Sequence, residues 1–219
     1  MHSQTIEGVG SISGGEYDRI GIEGVGNSKG DIIVKELDIE GVFKSSGKIK
    51  ADSIQCEGVA ELSDDVRANK LIIEGVMKLS KNAKLEAEEI ICDGCMYTKS
   101  EISTDRLYVD GCIKAQEIFG EEIIINSKSS VTSKINSLLK NINESFAIFG
   151  NAKKSSSKAD LIEATTVTIH NTQVREINGA NITIGENCEV DHVDCTGTLR
   201  VHHTAIVKKI TGVTPKYTE

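Results

Sequence analysis

Ile6-Glu7-Gly8-Val9 is the first copy of a phrase that decides how this chain folds. It returns as Ile22-Glu23-Gly24-Val25, Ile39-Glu40-Gly41-Val42, Cys56-Glu57-Gly58-Val59, Ile73-Glu74-Gly75-Val76, Cys92-Asp93-Gly94-Cys95 and Val109-Asp110-Gly111-Cys112. Its glycines lie 16, 17, 17, 17, 19 and 17 residues apart. A fixed period of this size means that one unit is stacked repeatedly. Function is then expected on surfaces and ends rather than in a pocket.

Counting each glycine as position zero sorts the chain into columns. Position −9 holds Ile32, Ile49, Val66, Leu85 and Ile102, and −7 holds Val34, Ala51, Ala68, Ala87 and Thr104. Position −4 holds Ile20, Leu37, Ile54, Leu71, Ile90 and Leu107, while −2 and +1 are the apolar ends of the phrase itself. Position +4 is small or apolar, from Ile12 to Ala115. The frame runs one coil past the last glycine, with Ile118, Gly120, Ile123 and Ile125 in place and Ser127 at zero. Apolar pairs two residues apart, rich in β-branched side chains, are strands with one buried face. A unit of about 17 residues cannot bury a core alone, but stacked units share one. The fold class is therefore all-β, a parallel β-helix of about 17 residues per turn. Column gaps of 2, 3, 2, 3 and 3 fit a right-handed coil better than the strict hexapeptide spacing of left-handed helices. The glycine is read as the corner, suited to positive φ or close approach.

After Ser127 the pattern changes. Val131, Ile135, Leu138, Leu139, Ile142, Phe146 and Phe149 recur at helical spacing, which predicts an amphipathic helix over about 131–147. Two roles stay open for it: a cap on the open end of the first solenoid, or a helix that docks a partner. From about 160 coils resume as Val167/Ile169, Ile182/Ile184 and Leu199/Val201, with Val174, Val190 and Val207 as another column and Ile162, Ile177, Val193 and Ile210 as a fourth. The expected organisation is an N-terminal β-helix over 1–127 with about eight turns, a helical insert and linker over 128–158, about three further turns over 159–213, and a frayed tail over 214–219.

The net charge of −8 and the lack of any basic patch interleaved with aromatics argue against nucleic acid. No secretory signal and no long apolar run are present, so no direct membrane insertion is expected and the cytoplasm is the expected compartment. Trp is absent and Phe and Tyr number four each, which disfavours a sugar-cleaving β-helix. Cys92-Asp93-Gly94-Cys95 has redox or zinc spacing, but the frame puts Cys92 in the Ile column and Cys95 in the Val column, as small buried hydrophobes. Cys95 and Cys112 share a column and fall near disulfide range, although a cytosol would keep them reduced. Cys188 and Cys195 share the parity of Ile184, Val190 and Val193 and read as core. His170, His192, His202 and His203 cluster late in the chain, and Ile184-Gly185-Glu186-Asn187-Cys188-Glu189-Val190 is similar to one hexapeptide of the left-handed acyltransferases. That leaves an enzyme as a competing class, with solvated histidines as the simpler reading. No catalytic, cofactor or metal site is expected.

Glu7, Glu23, Glu40, Glu57, Glu74, Asp93 and Asp110 should form an acidic ladder along one edge. Like charges ~4.8 Å apart repel by about 1 kcal/mol per pair even in water. Lys44, Lys78 and Lys114 at +3 are expected to interleave with it, and a cation or basic-partner strip is the sharper alternative. The end coils carry the candidate self-assembly residues: Ile6, Val9, Ile12, Ile20, Ile22 and Val25 at one end, Val201, Val207 and Ile210 at the other. A charge at Ile12 or Ile22 is expected to block assembly without unfolding the chain.

On the Ile-Glu-Gly-Val phrase, its period and its β-branched columns, the chain resembles the bactofilin family of bacterial polymer-forming cytoskeletal proteins. The resemblance covers 5–127 well and 160–213 loosely. It implies a right-handed triangular β-helix that polymerises end to end without nucleotide or metal. It also implies a cytosolic, non-catalytic scaffold whose partners are itself and envelope-associated proteins. The chain departs from the family in its insert, its split coils and its lack of Pro-rich tails.

Overall fold

The structure is a computed structural model that describes residues 2–127 and 157–219. The described residues form strands and turns only, wound into a parallel β-helix of about 11 turns. Every strand pairing is parallel and joins a residue to its equivalent one rung on. Ile32 pairs with Ile49, Ile49 with Val66, Val66 with Leu85, and Leu85 with Ile102. Strands β5 (Ile49–Cys56), β7 (Val66–Ile73), β9 (Leu85–Cys92) and β11 (Glu101–Val109) build one wall. Strands β4 (Val42–Ser45), β6 (Val59–Leu62), β8 (Val76–Leu79) and β10 (Cys95–Tyr97) build the next, beyond the corner.

The columns at −9, −4 and −2 are buried along their length, and Leu37, Leu71, Ile90 and Leu107 are sealed in the axis. Fully burying one such side chain contributes about 1.5–3 kcal/mol. Beyond the corner the inward column is +2, with Phe43, Ala60, Met77, Met96 and Ile113 all in the core. Alternation then turns +1 and +3 outward. The +1 valines accordingly grade from Val9 at 86% and Val25 at 40% exposed to buried Val59 and Val76, and none of the four belongs to the core cluster.

The two blocks of coils are one solenoid. Strand β12 (Cys112–Asn126) pairs with β13 (Ser157–His170) over eleven registered positions, from Lys114 with Lys158 to Asn126 with His170. The rung is closed at its neck by two buried serines. Ser127 and Ser157 hydrogen-bond through their hydroxyls, the Ser157 amide donates to Ser127 Oγ at 3.2 Å, and the Ile113 amide donates to Ser157 Oγ at 3.0 Å. The first block therefore has no open C-terminal face, which removes the capping role imagined for the insert. The predicted helix itself, with Ile135, Leu138, Leu139, Ile142 and Phe146, lies outside the described residues.

Strands β14 (Thr172–Ile184) and β15 (Glu189–His202) continue the stack. The last rung is made by β16 (Ile206–Thr211) and β17 (Lys216–Thr218), both on β15. The tail is thus a strand rather than a frayed end: Pro215 breaks the period, but Lys216, Tyr217 and Thr218 pair with Arg200, Val201 and His202.

Candidate assembly and interaction surfaces

The corner explains the repeated glycine. A Cβ on Gly24 would lie 2.0 Å from the Gly8 carbonyl oxygen, and one on Gly41, Gly58, Gly75 or Gly94 would lie 2.0 Å from the oxygen of the corner before it. For Gly111 the distance is 1.9 Å. Close approach of backbones, not conformation, excludes a side chain here. Among the described residues the glycines with positive φ are Gly15, Gly30 and Gly212, none of which is a corner of the phrase. Each corner also donates backwards. The amides of Glu23 and Gly24 share the Ile6 carbonyl, both at 2.9 Å, and Val25 donates to Gly8 at 2.7 Å. Glu40, Gly41 and Val42 repeat this on Ile22 and Gly24. The corner stack is therefore polar, with amides facing the N-terminal end and carbonyls facing onward.

The acidic ladder stands in solvent. Glu7, Glu23, Glu40, Glu57, Glu74 and Asp93 are exposed and Asp110 is half-buried, so water screens their repulsion. Lys44 and Lys78, expected to interleave with it, pair within their own column. They reach Glu61, at 2.8 and 3.9 Å, because Glu61 occupies their own +3 column. The flanks carry further ties between rungs: Lys35 to Asp18 at 2.6 Å, Arg19 to Asp38 at 2.8 Å, Lys70 and Arg106 to Glu89 at 3.0 and 3.5 Å, and Lys84 to Glu101 at 2.8 Å. Among the described residues no three His, Cys, Asp or Glu side chains converge as a metal cage.

Cys95 and Cys112 are disulfide-bonded across adjacent rungs, with Cα atoms 4.6 Å apart. Shared column position put the two within range, whereas the expectation that they stay reduced differs from the bond observed. Both are buried, at 2% and 3% exposure, though outside the central core cluster, and Cys56, Cys92, Cys188 and Cys195 are buried free thiols. Burial pushes the Cys56 thiol up to about 12 and Cys188 up to about 11, and pushes Cys92 up as well. Such thiols are packing groups and poor nucleophiles.

The histidines do not converge. His192 contacts Thr211 Oγ1 at 3.1 Å and Glu176 at 3.8 Å. His202 bonds Thr204 at 2.9 Å and stacks on His203, while His170 packs where a Cβ on Gly185 would stand. A hollow on the flank is lined by Arg67, Asn69, Glu86, Glu88, Ser103 and Asp105, and the Arg67–Glu86 ion pair spans it.

The ends differ from the middle. Among the described residues β1 (His2–Ile6) pairs only with β2 (Val9–Ile22), and β16 and β17 pair only with β15. Of the candidate assembly residues, Ile6, Ile12, Ile20, Ile22 and Val201 are buried, Val207 and Ile210 half-buried, and Val9 and Val25 exposed. A charge at Ile12 or Ile22 would therefore break the fold before it reported on assembly, because both side chains fill the axis. Among the described residues, the exposed apolar side chains that the columns did not point to are Ile33 at 46%, Ile206 at 61% and Tyr217 at 67%. The signal for Tyr217 was an aromatic residue in a tail otherwise polar around Pro215. Among the described residues no helix is long and apolar enough to cross a membrane. No family model, curated protein or solved structure matches this chain.

Proposed function

We propose that this chain is a non-catalytic scaffold that assembles end to end through its β-helix and recruits other proteins along its flanks, as the bactofilin resemblance implies. The observation that carries the reading is the state of the two ends. Each terminal rung leaves a strand edge with no rung beyond it among the described residues, and the C-terminal one bears exposed Ile206 and Tyr217. Open strand edges recruit further strands unless something blunts them. A head-to-tail contact that repeats along one axis does not close, so it gives filaments rather than rings. The flanks, dressed with paired charges and the acidic ladder, stay hydrated and disfavour lateral clumping. The cytoplasm is the compartment proposed for this scaffold, and there the Cys95–Cys112 bond would form only under oxidation.

Electron microscopy with sedimentation of the purified chain, free of nucleotide and with metal chelated, tests the reading. Filaments one solenoid wide are expected. A single slow-sedimenting species at high concentration contradicts it, and would turn the search toward a lone binding module.

A further inference from the structure

The wall of β5, β7, β9 and β11, continued by β12, changes character on its outer face partway along the solenoid. Alternation turns position −3 outward, between the buried columns at −4 and −2. Strand pairing sets Ile72, Ile91, Tyr108 and Ile124 there in one unbroken row. The same column is polar on either side, with Asp38 and Gln55 before the row and Thr168, Thr183 and Arg200 after it. All four members of the row are half-buried, so each keeps a face toward water. Threonine suits an outward strand position as well as isoleucine does, so strand propensity does not demand this block. Single exposed apolar groups are ordinary on a surface, whereas a contiguous row marks a contact.

Charge sets the borders of the row. On the corner side, at −1, Glu74 and Asp93 are exposed and have no ion-pair partner among the described residues. On the other side, at −5, Lys70, Glu89, Arg106 and Glu122 follow one another. Lys70 and Arg106 both reach Glu89, at 3.0 and 3.5 Å, and Glu122 accepts the Tyr108 hydroxyl at 2.7 Å. That border is neutralised within the wall, while the corner border keeps its negative charge.

We infer that this row is a docking surface for one basic amphipathic helix of a partner protein, laid along the solenoid axis with its cationic flank over Glu74 and Asp93. The inference gives a site and a partner chemistry to the recruitment proposed above, on which it rests. Dimensions select a helix. Apolar side chains on one helix face recur about every 5 Å of rise, close to the ~4.8 Å between rungs. Successive turns therefore set one apolar side chain against each member of the row. A strip about 14 Å long and one column wide falls well short of the roughly 800 Å² per partner of a stable contact between copies, but suits a short helix held reversibly. Because only one border is charged, the helix must be basic on one flank, and its acidic counterpart is repelled.

Fluorescence anisotropy on the full-length chain tests the surface. The probe is a labelled synthetic peptide of about four helical turns, with leucines at helical spacing and lysines along one flank. Wild type should bind it, and the same peptide with glutamate for lysine should bind about tenfold more weakly or worse. The Ile91→Thr, Ile124→Thr variant, which copies the column's own usage at Thr168 and Thr183, should weaken binding about tenfold while unfolding stays cooperative. The Glu74→Gln, Asp93→Asn variant should weaken it roughly threefold and flatten its salt dependence. Equal binding by the threonine variant means that the peptide adheres to charge alone, and overturns the inference. Equal binding by the amide variant also overturns it. So does a wild type that leaves the peptide free, whether a second copy or residues 128–156 of the chain itself hold the row. Sedimentation of the same samples separates this from the scaffold reading. Filaments without peptide binding overturn the docking surface alone, and peptide binding without filaments overturns assembly alone.

Discussion

The corners before and after the insertion solve one problem in two ways. From Gly24 to Gly111 the chain turns on a glycine packed beneath the carbonyl of its predecessor, at 2.0 Å or less from an imagined Cβ. After Ser157 its next two corners turn on asparagines. Asn171 and Asn187 both take φ of 53°, and Asn187 Nδ2 donates to Asn171 Oδ1 at 3.0 Å, so side-chain amides stack where backbones stacked before. Asparagine tolerates the left-handed region better than most residues because its short amide bonds locally. The fold passes from one corner to the other without losing register. The repeated phrase is thus one local answer to the corner, and the solenoid outlasts it.

That contrast breaks most sharply at Gly58. Gly58→Ala places a methyl 2.0 Å from the Gly41 oxygen and 2.3 Å from that of Glu40, so two rungs must part. We expect a loss of about 3 kcal/mol or more by chemical denaturation. The same change at Gly8, where a Cβ meets nothing within 4 Å, should stay within about 0.5 kcal/mol. Equal effects at the two sites would refute the close-approach account. Next in size is the clip between Cys95 and Cys112, which closes a loop of 17 residues. Reduction should cost up to about 3 kcal/mol on loop entropy and lower Tm by several degrees; unchanged melting under reductant would remove the clip from the account. Asn171→Ala should lose about 1–2 kcal/mol, with Asn171→Gly recovering part of it, since glycine accepts the angle but not the amide bond. An alanine variant as stable as wild type would mean that the asparagine corner is incidental.

Two smaller effects follow from titration. Cys56 is held protonated by burial, with its value raised from 9.0 to about 12. The unfolded chain gives up that proton first, so this contribution is intact below about pH 9 and fades as pH climbs toward 12. Cys56→Ala should flatten the alkaline limb of a stability profile, and an identical limb would contradict it. Asp65 lies lower than an ordinary aspartate, first because the Lys84 amide donates to it at 3.1 Å and then because of Lys48. Its contribution is present above the unfolded value of 3.8 and is lost as pH falls through the folded one. The carboxylate is substantially exposed, so Asp65→Asn should cost under about 1 kcal/mol, read from the acid limb.

Columns were the legible part of this chain because a period-two pattern repeated in register survives substitution. The inward sets at −9, −4 and −2, the nearness of Cys95 to Cys112 and the burial of Cys188 and Cys195 all follow from it. The +2 column was hidden by Gly10 and Gly26, which stand there in the first two rungs where Ile6 and Ile22 fill the space. Glu61 is the partner of Lys44 and Lys78 because Lys44, Glu61 and Lys78 alternate in sign down one column, across the corner from the −1 ladder. That β13 sits on β12 was not legible, since it depends on two serines at the neck, Ser127 and Ser157. The last rung escaped notice because Pro215 interrupts the period just before Tyr217.

The most direct test of the central claim is a high-resolution cryo-electron microscopy reconstruction of the assembled chain. The account predicts an unbroken strand spacing of ~4.8 Å through each junction, with the end rung of one copy stacked on an end rung of the next. Junctions made through the flanks would contradict it.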